Sequence, residues 1–291
     1  MSLPNPMGEA IPRAASGHNV VTDLGPRSLL TDRDLTRYAR HIVLPGFGQE
    51  AQRRLQDSRV LVVGAGGLGS PVLLYLSAAG VGHLTILDDD VVDESNLQRQ
   101  VIHRQADVGR PKALSAKDAA QRLDPHLLVE ANVARLGTDN ALDLVKGHDV
   151  ILDCTDNFAT RYLACDAAEI TGTPLVWGTI LQYQGQLSVF WPGHGPMLRD
   201  LFPEVPAGDS VPSAAAGGTF GPVVGQVGSM MAAEAVKVLT GIGTPAVGKL
   251  IVIDALGVGT RTLSFTPDPD RASVTQLPAA ESPTATSGTD L

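Results

Sequence analysis

The pattern of apolar and polar positions changes character partway along the chain. Between Thr31 and Thr179, short apolar runs alternate with helical stretches. Thr31-Asp-Arg-Asp-Leu-Thr-Arg-Tyr-Ala-Arg reads as a capped helix, Arg59-Val-Leu-Val-Val-Gly as a buried strand, and Leu68 to Ala79 as a helix. The alternation continues with a strand at His83–Asp88, a helix at Pro111–Leu123, a strand at Leu127–Val133 and a helix near Asp139–Lys146. A strand at Asp149–Asp153, a helix at Asn157–Thr171 and a strand at Pro174–Trp177 complete the series. Such alternation predicts a mostly parallel sheet with helices on both faces. After Thr179 the rhythm is different. Gly185–Trp191 is a strand with no helix before it, and Pro192–Gly221 is a Gly/Pro-rich excursion. Pro222–Thr240 is apolar nearly all round, hence a buried helix. Lys249–Asp254 and Thr260–Phe265 read as a hairpin, so an antiparallel C-terminal extension is expected on the sheet or beside it.

The two ends carry no such pattern. Residues 1–28 mix Pro, Gly, Asn and Ala and read as a flexible arm, and residues 269–291 turn to Ser, Thr, Pro and Ala and read as a disordered tail. A folded domain is expected over 29–268. At 43% hydrophobic residues in 291, it can build a sizeable core. The net charge of −9 argues against a general nucleic-acid binder, whose phosphate contacts need clustered Lys and Arg. No run of ~18 apolar residues predicts a membrane helix, and the N-terminus has no apolar signal core. Cys154 and Cys165 alone make neither a disulfide framework nor a four-thiolate zinc site, so the expected compartment is the cytoplasm.

The sharpest motif is Gly64-Ala-Gly-Gly-Leu-Gly, which follows a buried strand and opens a helix. Glycines at 64, 66, 67 and 69 let backbone approach phosphate, and the helix start offers free N–H groups to an anion. Asp88 ends the next strand, 24 residues after Gly64, where an acid hydrogen-bonds ribose hydroxyls; Asp90 follows it. This makes a Rossmann-like nucleotide site, with NAD, FAD and ATP all still open. The basic residues are only 5 Lys beside 17 Arg, so Lys112 at a helix start is worth placing. Together with Asn96 and Arg99 it suits a triphosphate whose pyrophosphate must leave; the alternative is a solvated charged loop. Asp153 and Asp156 lie at a strand's carboxyl end, where one could hold Mg2+. The alternative is that Asp156 or Asn157 only caps the following helix.

Taken in order, Arg37-Tyr-Ala-Arg-His, the glycine loop, Ser95-Asn-Leu-Gln-Arg-Gln, Val108-Gly-Arg-Pro-Lys and Asp153-Cys-Thr-Asp-Asn resemble the ThiF/MoeB family, relatives of ubiquitin-activating enzymes. Leu201-Phe-Pro-Glu and Val211-Pro-Ser are similar to its actinobacterial MoeB/MoeZ branch. The resemblance implies a nucleotidyltransferase that uses Mg-ATP to adenylate the C-terminal glycine of a small ubiquitin-like sulfur carrier ending in Gly-Gly, such as MoaD or ThiS. It implies that Gly67 and Asp88 bind the adenosine half and that Asn96, Arg99 and Lys112 bind phosphates. Asp156 would organise Mg2+ with Asn157 beside it, and Arg40 would reach the ATP of the other subunit in a homodimer.

Four departures from the family pattern shape the expectations. Met197-Leu-Arg-Asp200 stands where a zinc-binding Cys pair is usual, and no Cys follows Cys165, so no zinc is expected. Ala214 stands where the branch has a Cys, so the reaction is expected to stop at the acyl-adenylate. No rhodanese domain is expected after the tail, so a separate sulfur donor is implied. His41 replaces the usual Gln. Two other readings use the same fold: a nucleotide-dependent oxidoreductase, which needs neither Arg99 nor Lys112, and a non-catalytic scaffold.

Overall fold

A computed structural model describes residues 29–206, 217–257 and 259–278. The arm, the last 13 residues and Ala214 fall outside them. The first strand, β1 (Arg59–Val63), opens on an exposed Arg59 and continues with valines and a leucine that are all buried. It pairs in parallel with β2 (His83–Leu87) and β4 (Val150–Asp153), while β3 (Leu128–Asn132) adds beyond β2 and β5 (Leu175–Leu181) beyond β4. β6 (Gln184–Phe190), β7 (Lys249–Asp254) and β8 (Gly259–Ser264) then continue the same sheet antiparallel. The result is one eight-stranded sheet in the order β3-β2-β1-β4-β5-β6-β7-β8. The strand-order reversal falls between β1 and β4, the place where open α/β sheets bind ligands.

Helices cover both faces, as the alternation predicts. α3 (Gly48–Asp57), α4 (Gly69–Ala79), α5 (Lys112–Leu123) and α9 (Gly221–Thr240) share one core with Val60, Val62, Leu84, Ile86, Leu152 and Leu187. α6 (Ala141–Val145), α7 (Phe158–Thr171) and the short α8 (Leu198–Leu201) cover the other face, over Leu61, Val63, Ile151, Leu175, Trp177 and Phe190.

Three expectations need correcting. The helix read from Thr31 to Arg40 is two helices, α1 (Asp32–Arg37), capped by Thr31, and α2 (Ala39–Ile42), with Tyr38 between them out of helical conformation. α3 has no counterpart in the reading above, because only Ala51 and Leu55 of its sequence are apolar and buried. Its third inward residue is Gln52, fully buried, whose Nε2 donates 2.9 Å to the carbonyl of Ala79 and satisfies the end of α4. Finally, residues 269–278 do not leave the fold as a disordered tail would. Arg271 pairs with Asp200 at 2.7 Å and with Glu169 at 3.1 Å, and Leu277 packs on the α7-side core. Composition alone missed this because the partners lie 71 and 102 residues away.

Candidate functional site

The glycine loop joins β1 to α4 at the carboxyl edge of the sheet, and its glycines are required by contact. Gly64 has φ +95°, and a Cβ there would lie 2.9 Å from the carbonyl oxygen of Cys154. A Cβ on Gly69 would run into the carbonyl oxygen of Gly64. The loop therefore lies flat on the end of β4. α4 begins without a side-chain cap; within its first turn Ser70 N–H donates to the Gly66 carbonyl and Pro71 has no N–H, so the backbone N–H groups that can face an anion are those of the loop up to Gly69.

Two side chains fix Ala65 in the middle of this loop. Asp88 Oδ2 accepts its N–H at 2.7 Å while Oδ1 accepts the N–H of Asp90 at 2.9 Å. Burial nonetheless holds the Asp88 carboxyl above its ordinary pKa, against these hydrogen bonds and the nearby Lys112. On the other side, the carbonyl of Ala65 accepts from His103 Nε2 at 2.9 Å. A carbonyl can only accept, so Nε2 carries the proton and Nδ1 accepts from Ser115 Oγ, also at 2.9 Å. Burial lowers the His103 pKa and keeps it neutral.

The predicted phosphate ligands gather here. Lys112 opens α5, is 7% exposed, and places Nζ 2.8 Å from Asp90 Oδ2. Arg99 is half-buried; its stem passes 3.9 Å from the position of a Cβ on Gly67, and Nη1 donates to the carbonyl of Ser95. The oxygen of Asn96 accepts the N–H of Asp93 at 3.3 Å, which fixes its side chain within the turn that carries Arg99. Gln100, 4% exposed, lies against Gly66 and leaves Oε1 without a hydrogen-bond partner.

The end of β4 separates the two carboxylates. Asp153 is fully buried, accepts the N–H and Oγ1–H of Thr155 at 3.0 and 2.6 Å, and faces Arg161 at 3.5 Å. Arg161 is itself buried between the Phe158 and Trp177 rings, 5.4 Å from each centroid. Burial raises the Asp153 pKa, against the Arg161 charge and the Thr155 hydrogen bonds. It belongs to the interior. Asp156 is exposed, with its carboxylate in no hydrogen bond or ion pair to the described residues. Asn157 spends its oxygen on capping α7, accepting from Thr160 N at 2.9 Å.

Arg40 is not brought to this cluster. Its neighbour His41 meets Gln52, which holds Ala79 at the far end of α4, about 16 Å of helix from Gly69. Arg40 is exposed there without a partner among the described residues, beside Val43 and Leu44, 73% and 50% exposed. Cys154 and Cys165 are both buried, and desolvation pushes both thiols up, which disfavours the thiolate. Sequence reasoning missed His103, Gln100 and Arg161, since their roles come from contacts with loop backbone and buried charge. No described helix is long and apolar enough to cross a membrane.

A groove of about 380 Å³ lies along β5 and β6, closed by the residues at the end of β7. Gly178, Ile180 and Gly185 face α9, so the pairing of Thr179 with Gln186 and of Gln184 with Asp254 puts these residues on the opposite face. With Leu181 and Tyr183 they line the groove, and Arg161 donates to Thr179 at its inner end.

Residues 38–273 match the ThiF family. The chain is 52% identical over 256 residues to a protein named probable adenylyltransferase/sulfurtransferase MoeZ from Mycobacterium tuberculosis, covering 87% of this chain and 65% of that one. It is 48% identical to the sulfur carrier protein adenylyltransferase of Thermus thermophilus, covering 82% of this chain and 90% of that one. It is 46% identical to the SAMP-activating enzyme E1 of Haloferax volcanii, over 81% and 87% of the two chains. Among solved structures, E. coli MccB with a MccA-derived peptide aligns at a TM-score of 0.73 over 83% of this chain and 75% of that one, at 20% identity, a likeness of fold.

Proposed function

The chain belongs to the ThiF family, and from that premise we propose that it adenylates the C-terminal carboxylate of a small ubiquitin-like sulfur carrier ending in Gly-Gly. The observation that carries this reading is the placement of Lys112 and Arg99 beside the glycine loop. A dinucleotide's single pyrophosphate is served by the loop alone, and two further cations suit a triphosphate that sheds pyrophosphate. The names of the 52% and 48% identical relatives, an adenylyltransferase/sulfurtransferase and a sulfur carrier adenylyltransferase, support it as well.

The chemistry needs no general base, because a C-terminal carboxylate is already ionised at neutral pH. Its oxygen attacks the α-phosphorus in line, a new O–P bond forms, and the bond to the pyrophosphate oxygen breaks. The protein has to hold two anions together and stabilise charge on the leaving oxygens. Gly64, Gly66, Gly67 and the α4 N-terminus cradle phosphate, Asp88 receives ribose, and Lys112, Arg99 and Asn96 take the β and γ phosphates. Lys112 exchanges its hold on Asp90 for the nucleotide or shares it. The free carboxylate of Asp156 fits Mg2+, which binds proteins through one or two carboxylates and supplies charge neutralisation at the phosphates. The groove beside Thr179 and Gln186 offers the carrier's tail a path to the loop.

The reading includes a homodimer in the cytoplasm, with Arg40 acting in trans. In its own chain Arg40 lies a helix length from the glycine loop, and exposed Val43 and Leu44 beside it suit insertion against a partner. It also includes a product that remains an acyl-adenylate until a separate sulfur donor attacks it, since both described thiols are sealed and protonated. The described residues offer no set of zinc ligands, and a zinc-free protein is proposed; stoichiometric zinc by elemental analysis would refute it. The central test is carrier-dependent ATP–pyrophosphate exchange. Absence of exchange with every Gly-Gly-terminated carrier, together with tight NADH binding, would favour an oxidoreductase.

A further inference from the structure

Asp124, at the end of α5, is surrounded in an unusual way. It is 3% exposed, and it accepts Arg33 Nη2 at 2.5 Å, Tyr38 Oη at 2.9 Å and the His126 N–H at 3.1 Å, with Arg37 Nε at 3.3 Å. Three of these four donors come from α1 and the residue that ends it. Arg37 also donates to the carbonyl of Leu123, next to Asp124, at 2.6 Å. A carboxylate at a helix C-terminus opposes the helix dipole, so α5 itself gains nothing from an acid there. Its benefit goes to α1.

α1 has six residues and α2 four, too few to be stable helices alone. Tyr38 joins them, 4% exposed, with its ring against Gly80, where a Cβ would meet it at 2.5 Å. Arg40 follows two residues later. Beyond Tyr38, α2 is held by its backbone turns and by His41, which meets Gln52 at 3.4 Å and the Phe47 ring at 5.3 Å. The place of Arg40 is therefore set largely by how firmly Tyr38 and Arg37 are tied down.

We propose that Asp124 is the positioning residue for Arg40: it anchors α1 and Tyr38 to the end of α5 so that Arg40 is presented at a fixed place to the nucleotide site of the partner subunit. This rests on the trans role of Arg40 proposed above. It gives α5 two duties in one rod of about 18 Å: its first residue, Lys112, serves the site of its own chain, and the residue that closes it serves the site of the other.

Because Lys112 and Asp124 share a helix, the alternative makes an opposite forecast. A lesion at Asp124 that acts by disturbing α5 damages the site of its own chain; a lesion that releases Arg40 damages the other. The experiment uses differently tagged subunits in mixed full-length dimers, assayed by carrier-dependent ATP–pyrophosphate exchange. The Asp124→Asn homodimer should lose about 10- to 100-fold in rate, the scale of a misplaced group. When an Asp124→Asn subunit is paired with a Lys112→Ala subunit, the one intact phosphate site lies on the Asp124→Asn chain and takes Arg40 from the other. This dimer should show about half the wild-type rate. When a subunit with both changes is paired with a wild-type subunit, the intact site lies on the wild-type chain, and its rate should fall to the Asp124→Asn level. The reverse pattern, loss in both pairings, or an Asp124→Asn homodimer at full rate would overturn the inference. Arg40→Ala in the same pairings tests the parent reading. If it acts in trans and Asp124→Asn does not, only this inference falls; if it has no trans effect, both fall. Should Asp124→Asn fail to fold, Tyr38→Phe keeps the ring and removes the hydroxyl, and the same forecasts apply to it.

Discussion

β2 and β4 flank β1 on either side, and both deliver an acid at their carboxyl ends. Asp88 stands half-exposed beside the glycine loop, and every hydrogen bond it accepts comes from backbone. Asp153 is fully buried, and its charge faces Arg161, itself enclosed by two aromatic rings. Burial raises the pKa of both. The difference lies in what neutralises the charge and whether a ligand can arrive. Beside Asp88 the cation is Lys112, tied to an Asp90 whose side chain is 68% exposed and can be exchanged for phosphate. Beside Asp153 the cation is internal and cannot be released. Position at a strand end thus marks where chemistry can occur, while solvent access and partner decide which acid takes part.

The comparison can be broken most decisively at Asp153. Asp153→Ala leaves the Arg161 charge buried and should cost ~3–5 kcal/mol of stability, measured by denaturant unfolding, with ATP affinity of the folded protein unchanged. A loss under about 1 kcal/mol would place Asp153 with the ligand-facing acids. On the β2 side, Lys112→Ala should lower ATP–pyrophosphate exchange by ~10²–10³ while the unfolding midpoint stays near wild type, because Asp90 remains solvated. Exchange at full rate would remove Lys112 from the site. Asn157→Ala should cost ~1 kcal/mol, read by thermal unfolding, as expected of a lost helix cap. A still smaller effect concerns pH. A carboxylate whose folded pKa is raised contributes stability below its unfolded value of ~4, and loses it as pH rises through the folded pKa. The stability gap between wild type and Asp153→Asn should therefore narrow as pH climbs from about 4. Asp124 has the opposite sign. Burial would raise its pKa, but hydrogen bonds from His126, Arg33 and Tyr38 and the charge of Arg37 bring it below the ordinary value. Its contribution is complete above ~4 and is lost as pH falls further, so the gap between wild type and Asp124→Asn should close in acid. Parallel pH dependences for the two variants would contradict the assignment.

What the sequence revealed was whatever is written locally. β-branched runs and glycine spacing gave the strands, the loop and the strand-end acid, because each depends on neighbours within a few residues. The hairpin of β7 and β8 was legible for the same reason, as was the cap at Thr31. α3 was not, since its inward face is completed by a buried Gln52 rather than by a third apolar residue. Spacing alone left the division of labour between Asp153 and Asp156 open, and only the family resemblance pointed to Asp156, because nothing in Asp153-Cys-Thr-Asp shows that Arg161 faces one acid in the interior. His103 and Asp124 drew no attention: each acts on backbone or side chains distant in sequence, 38 residues away for His103 and 86 for Asp124 with Tyr38.

The clip made by Arg271 has a consequence for how the chain can be shortened. Glu169 and Asp200 have side chains only 8% and 2% exposed, and both look to this one guanidinium. Asp200 also stands at the position where the family resemblance would put a zinc-binding Cys. A chain cut ahead of Arg271 keeps every strand of the sheet and yet leaves two neighbouring acids buried without their counter-charge. A chain cut after Pro278 leaves the clip intact. The end of the folded unit is therefore set by electrostatics beyond the last strand, and because the three side chains are so little exposed, added salt should screen this attachment only weakly.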